Sequence, residues 1–368
     1  MKATKSLRVF TPAIFLILIL LLALLAGTVS CSSGSTTAST SATTAEKPIT
    51  LTFSMFEPAV AMSWTGLYKP MFEDIEKRSN GRVKIEAHLG GELLSLPDTY
   101  NGILQGTVDM AHIFPSMVQG KFTMSEIVNF WSYNRNLGNK GRLCWELFKT
   151  VPEAFKQYDE VKLLWFGSSY TGGLGTTKKP LVTLEDLKGT KITTTGQWCA
   201  ARQELLGIVP VALPPEAMVT SMQTGIIDGM AAPAWGLRDM GWGAVMKYMT
   251  VVNIYDGGYA FVMNQKTWNK LPADIQKIFT DVGEEWIDKA DELNVRVGKE
   301  RLASAPQEFG MKIIELSKEE QARWAAADKP ALEKYAADLE SKGLPGKKFA
   351  SEFLKLEDKY NLPDNPLW

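Results

Sequence analysis

The sequence predicts an α/β fold in two domains, on three observations. Between Ile49 and Ile113, segments of alternating apolar residues exchange with segments of helical spacing in the order β-α-β-α-β, which argues for a largely parallel sheet with helices on both faces. A second set of the same kind begins at Leu184. Beyond an amino-terminal leader and tether, about 320 residues remain, more than one hydrophobic core usually organises.

Taken in order, Ile49 to Phe53 alternate as a strand, and Leu67, Met71, Phe72 and Ile75 recur at helical spacing until Asn80-Gly81. Val83 to Ala87 is a second strand, a short helix through Tyr100, Ile103 and Leu104 ends at Gly106, and Val108 to Ile113 is the third strand. A helix around Leu143 to Phe148 leads into the apolar strand Val161 to Phe166. The glycine-dense stretch Gly167 to Gly175 suits a crossing between domains.

The second set runs from Leu184 through strand Lys191 to Thr194 and a helix from Gln197 to Leu206, punctuated by Gly207. Strand Val209 to Leu213 meets a proline-led helix start at Pro214-Pro215 that stops at Gly225, and Ile226 to Met230 returns as a strand. Strands near Thr250 to Ile254 and Tyr259 to Met263 recross to the first domain. After Leu271-Pro272 a long helix carries Ile275, Ile278, Phe279, Val282, Trp286 and Ile287 on one face, and the remainder alternates helix, strand (Met311 to Leu316) and helix. The expected divisions are a signal peptide over 1–30, a tether over 31–47, a first domain over 48–169 and 258–297, and a second over 170–257 and 298–368.

Lys2, Lys5 and Arg8 precede the uncharged apolar run Ala13 to Ala26, the charged and apolar regions of an export signal. Counted from Val9 to Val29 the run approaches the ~20 residues of a spanning helix, so a retained anchor is the alternative. Thr28-Val29-Ser30-Cys31 followed by a Ser/Thr-rich run resembles a bacterial lipoprotein signal, which implies lipidation of Cys31. Simple cleavage competes with it, because Thr28 and Ser30 depart from the usual residues. The run after Cys31 cannot bury a core and reads as a flexible tether.

Forty basic residues stand against 41 acidic ones, without a basic block outside the leader, which argues against nucleic acid as a partner. Cys144 and Cys199 either pair in a compartment that permits disulfides or stay as two buried thiols. No Cys/His spacing suggests a metal, and no cofactor motif is present. Gly172 to Lys178 lacks the spacing of a phosphate loop, Gly167-Ser-Ser-Tyr-Thr lacks the flanks of a nucleophile elbow, and the chain has only two histidines. His112, near the end of a strand where open α/β sheets bind ligands, is either a ligand contact or a satisfied structural histidine.

Phe72 to Glu86, Gly90-Gly-Glu-Leu93, Gly106 to Ala111, Leu184 to Ile192, Met222 to Gly229 and Trp268 to Gln276 occur in an order and spacing that resembles the solute-binding proteins of tripartite ATP-independent periplasmic (TRAP) transporters, DctP type. The resemblance runs from about Ile49 to about Ala305. It implies a two-domain clamshell of the periplasmic-binding-protein fold, with hinge strands and a long bracing helix. It also implies a monomeric receptor that is no enzyme, closes on a small molecule and delivers it to a membrane permease. The receptor of an ATP-driven importer, a sensor-coupled binding protein and an extracytoplasmic hydrolase are the competing readings.

The family usually holds a carboxylate through an arginine after Leu-Lys-Gly-x-Lys-Ile, a planar fork matched to two oxygens. Here that position is Thr193, a second arginine of some members falls near Gly173, and Met230 to Pro233 replaces Gln-Glu-Asn-Pro. A hydroxyl replaces one hydrogen bond of a guanidinium but not its charge. The expected site is therefore a cleft that stacks a larger, less acidic or aromatic ligand on Trp64, Tyr170, Trp198 and Trp235. Thr193, Thr194, Gln197, Glu216 and Ala232 complete it, with His112 as a further candidate. Each aromatic residue has an ordinary core role as its alternative.

Overall fold

The computed structural model describes residues 47–132, 137–169, 172–254 and 257–361. The leader, Cys31, the tether and Tyr170 lie outside the described residues. Glu46–Trp368 forms one compact unit.

Along the chain the described strands are β1 (Ile49–Ser54), β2 (Val83–His88), β3 (Met110–Ile113), β4 (Val161–Gly167), β5 (Gly173–Thr176) and β6 (Lys191–Thr194). They continue with β7 (Val209–Ala212), β8 (Gly229–Ala232), β9 (Tyr248–Val251), β10 (Tyr259–Asn264) and β11 (Lys312–Glu315). They make two sheets, ordered β2-β1-β3-β10-β4 and β11-β9-β5-β8-β6-β7. Both are mixed. β1 runs parallel to β2 and β3, whereas β10 is antiparallel to β3 and β4. In the second sheet β5 is antiparallel to both β8 and β9.

The local signals act as the sequence suggests. Met71, Phe72 and Ile75 are the buried face of the helix Lys69–Arg78, and the chain leaves it through Asn80 and Gly81 at φ 52° and 74°. The helices Thr99–Gln105 and Pro215–Thr224 each end on a glycine in the left-handed region, Gly106 and Gly225.

The architecture is a two-lobed clamshell. β10 returns the chain from the second sheet to the first. The helix Ala273–Phe309 then carries Phe279, Val282, Ile287 and Leu293 into the core of the first sheet and Leu302 and Ala305 into that of the second. One helix thus spans both cores and braces them.

Two features differ from the expectations. The glycine-dense crossing contains a full strand, β5, at the centre of the second sheet. The helices Pro330–Ser341 and Gly346–Tyr360, expected with the second domain, place Tyr335, Leu339, Phe349 and Phe353 in the core of the first sheet. Tyr335 stacks on Phe130 at 4.7 Å, and its hydroxyl donates toward the carbonyls of Thr123 and Met124. Cys144 and Cys199 are both buried and are not joined to each other.

Candidate functional site

The turns that follow the carboxyl ends of β1, β3 and β6 meet over one cleft, where open α/β sheets place their ligands. From the first lobe come Phe56 and Phe114, whose rings pack edge to face at 5.5 Å. From the second come Met218, Met230, Trp235 and Trp242, the two indoles 5.8 Å apart. The cleft leaves about 50 Å³ for the centres of water-sized groups, within a void of about 590 Å³ that counts its open mouth. Its polar contribution is small: Ser169, Thr193, Thr194 and Thr195. Among the described residues that line it, none is charged.

A smaller, tighter cavity adjoins it and shares Phe114, Ser169 and Trp235 as walls. Most of its surface is apolar, with Met62, Leu67 and Leu293 among its walls, but polar groups reach it too. Glu57, His112, Ser63 and Asn294 line it together with Tyr259. Glu57 is 1 % exposed, its Oε2 lacks a hydrogen-bond partner, and burial pushes its carboxyl up to about 8. His112 is likewise buried, and neither ring nitrogen has a partner. It stacks on Phe114 at 4.8 Å, and desolvation pushes it down to about 3, so it is neutral.

The structure sorts the predicted residues into groups. Thr193, Thr194 and Trp235 line the cleft, and His112 lines the adjoining cavity. Gln197 shares with Thr194 a wider groove at the side of the cleft. Trp198 is buried against Phe130 and Tyr335. Trp64 packs on Phe72 and the first core. Ala232 is buried in the second core beside Met218 and Leu237, while its neighbour Ala231 lines the cleft. Glu216 is exposed on the first turn of its helix. Phe56, Phe114, Met218 and Glu57 were not expected here, whereas Met230 opens the segment that replaces Gln-Glu-Asn-Pro. The first two and Glu57 stand just past strand ends, the signal that had singled out His112.

The backbone explains why the second arginine position is empty. A Cβ at Gly173 would lie 1.9 Å from the carbonyl oxygen of Thr250, and one at Gly172 would lie 1.8 Å from that of Ala232. At Thr193 the strand places a short hydroxyl side chain on the cleft wall, while its carbonyl accepts Nε2 of Gln203 at 2.8 Å.

Residues 53–338 match the family model of bacterial extracellular solute-binding protein, family 7 (DctP). The chain belongs to this family. A solute-binding protein of Sulfitobacter sp. strain NAS-14.1 is 26% identical over 294 residues, 78% of this chain and 86% of the relative. The C4-dicarboxylate-binding periplasmic protein DctP of Rhodobacter capsulatus is 23% identical over 327 residues, covering 83% and 92%. Among solved structures, a TRAP solute-binding protein of Rhodoferax ferrireducens T118 holding copurified benzoate superposes with a TM-score of 0.78 at 21% identity, over 85% of this chain and 98% of that one. A marine metagenome TRAP solute-binding protein specific for aromatic acids, with 3-hydroxybenzoate, gives 0.76 at 22% identity, over 86% and 99%.

As a DctP-type receptor of TRAP transporters, the protein binds a small solute and hands it to membrane permease components, and it is not an enzyme. Among the described residues no group of side chains could hold a metal ion, and no helix is long and apolar enough to cross a membrane.

Proposed function

We propose that this DctP-type receptor captures an aromatic or otherwise weakly acidic organic molecule and delivers it to a TRAP permease. One observation carries the reading: the cleft presents Phe114, Trp235, Trp242 and Met230 around four hydroxyls, without a cationic side chain among its described walls. A carboxylate buried there would lack a compensating charge, which costs several kcal/mol or forces its protonation. Flat, polarisable walls instead favour a ring or an unsaturated chain, held by stacking and by methionine contacts. The benzoate and 3-hydroxybenzoate complexes of the structural neighbours support a ligand of ring size.

Binding then works by differential affinity. A ligand that touches Phe114 on one lobe and Trp235 on the other favours the closed arrangement over the open one. The lobes that move would be 48–169 with 258–297, and 170–257 with the segment up to β11. In the intact protein the leader is removed ahead of Cys31, the cysteine is lipidated, and the monomer is held outside the cytoplasmic membrane by that anchor.

Native mass spectrometry of the purified protein tests the ligand, and equilibrium titration tests its class. Aromatic, non-acidic compounds are expected to bind, with Thr193→Ala of little consequence for them. Tight binding of short dicarboxylates, abolished by no change other than one in the cleft, would refute the reading. Mass analysis of the membrane-bound form, with Cys31→Ala releasing it, tests the anchor.

A further inference from the structure

We infer that the cavity holding Glu57 and His112 is the seat of a protonated amine on the ligand, with Glu57 as its counter-ion and the residue that sets specificity. The inference rests on the cleft being the ligand site. It adds the chemistry of one end of that ligand.

Polar side chains buried without partners are rare, because each one costs free energy that a neighbouring apolar residue would not. Here several converge on one small space. Glu57 Oε2, both nitrogens of His112 and Ser63 Oγ are all buried and unpartnered, and all belong to residues that line the cavity. The room left is about 20 Å³ for the centre of a water-sized group, enough for one small polar head.

With Glu57 ionised, acceptors outnumber donors in the cavity. The carboxylate only accepts, neutral His112 offers one bare nitrogen and one N–H, and the Ser63 hydroxyl both accepts and donates. Ser169, on the wall shared with the cleft, spends its proton on the carbonyl of Gly257 at 3.2 Å and keeps lone pairs. An ammonium carries three donors and no acceptor, the complement of this set. A carboxylate would meet Glu57 head on.

The charges around the cavity agree. From the helix Gly236–Asp239, Asp239 faces the region, its Oδ2 accepting the backbone N–H of Met62 at 2.9 Å. Arg301 of the long helix lies 3.6 Å from Asp239 Oδ1 and so answers that carboxylate. The remaining titratable neighbours are Tyr68, whose hydroxyl burial pushes well up, neutral His112, and Tyr259. Among the described residues that line the cavity, none is a lysine or an arginine that could answer Glu57. Phe114, Trp235 and Tyr259 add aromatic rings, whose faces attract a cation. Burial leaves the empty-state carboxyl protonated near neutrality, and a cation beside it restores ionisation.

The test is a matched series of 2-phenylethylamine, 2-phenylethanol and phenylacetate, titrated calorimetrically at pH 7 in two buffers of different ionisation enthalpy. The amine is expected to bind at least tenfold more tightly than either analogue and to release close to one proton. Glu57→Gln should weaken the amine tenfold or more and abolish the release, leaving the alcohol within twofold. A wild-type preference for the alcohol or the acid, or an amine affinity unmoved in Glu57→Gln, would overturn the inference while leaving the cleft in place. Trp235→Ala separates the two readings: it should weaken all three probes, and if it weakens none the cleft itself is misassigned. His112→Phe keeps the stack on Phe114 and removes the acceptor. It should weaken the amine alone, and it serves as the second variant if Glu57→Gln does not fold.

Discussion

Glu126 accepts the backbone N–H of Trp198 on its Oε2 at 2.9 Å, joining the segment after β3 to the first turn of the helix after β6. Gly196 caps that helix at φ 78°, and a Cβ there would lie 2.9 Å from the same carboxylate oxygen. The bond therefore crosses from the first lobe to the second, at a helix N-terminus where orphan N–H groups welcome an acceptor. Its closeness depends on a residue without a side chain.

Glu126→Ala removes this tie and leaves an N–H of the helix unanswered. The expected cost is about 1 kcal/mol, which falls on the closed arrangement, because opening separates the partners. Small-angle scattering of the ligand-free variant should give a larger radius of gyration than the wild type. Ligand affinity should drop several-fold.

Thr193 points to the opposite experiment. Thr193→Arg restores the residue type that the resemblance leads one to expect on β6, on a wall where described charged side chains are absent. A guanidinium there supplies both the charge and the two-donor fork that a carboxylate needs. Benzoate affinity should rise at least tenfold in a titration, and uncharged aromatic ligands should lose affinity through lost volume. The corresponding Gly173→Arg variant should fail to fold, since even a Cβ meets the Thr250 carbonyl oxygen at 1.9 Å.

How far the fold could be read from the sequence depends on the kind of signal. Helix stops at Asn80-Gly81, Gly106 and Gly225 were legible because positive φ favours glycine and asparagine. β5 was not, because a strand pressed between β8 and β9 closely enough to exclude a Cβ at Gly173 reads as loop composition. The cleft was half legible. Thr193 and Trp235 lie where motif positions predicted, but Trp198 and Trp64 turned inward, since an indole serves a core as well as it serves a ligand. Glu57 carried only the weak signal of standing just past a strand end, because its chemistry arises when β3, β10 and the long helix close around it.

Three buried carboxyls give the protein an unusual pH response. Desolvation pushes Glu57 up to about 8, and Glu126 and Asp291 up to about 7. A carboxyl raised above its unfolded value near 4 binds more protons folded than unfolded in between, so stability falls as pH rises through that window. His112, pushed down to about 3, acts oppositely: the unfolded chain takes up its proton below about 6.5, and stability falls as pH drops from there. Between pH 6.5 and 8 only the three carboxyls act among these four groups, and the urea midpoint should decline with rising pH. Below 6.5 His112 offsets one of the three. In Glu57→Gln the decline between pH 7 and 8 should become shallower, because Glu57 no longer contributes to it and only Glu126 and Asp291 remain of the three.

Asp291 gives the last prediction. From the middle of the long helix it accepts the N–H groups of Gly141 and Arg142, each at 2.9 Å, and so caps the helix Lys140–Thr150 in place of a local residue. Gly141 permits the approach, since a Cβ there would sit 2.9 Å from Asp291 Oδ1. Asp291→Ala strips both acceptors from a buried helix start, at a cost of about 2–4 kcal/mol from two unsatisfied donors. Removing a carboxyl that burial already disfavours returns part of that. Asp291→Asn keeps one acceptor and turns an amide N–H₂ toward the other donor, so it should cost less than alanine near pH 8. At pH 5, where the wild-type carboxyl is itself protonated and offers one good acceptor, Asp291→Asn should come close to wild type. Urea denaturation of the three proteins at the two pH values checks this, and an asparagine penalty that does not shrink at pH 5 would mean that the cap acts through something other than the ionised carboxylate.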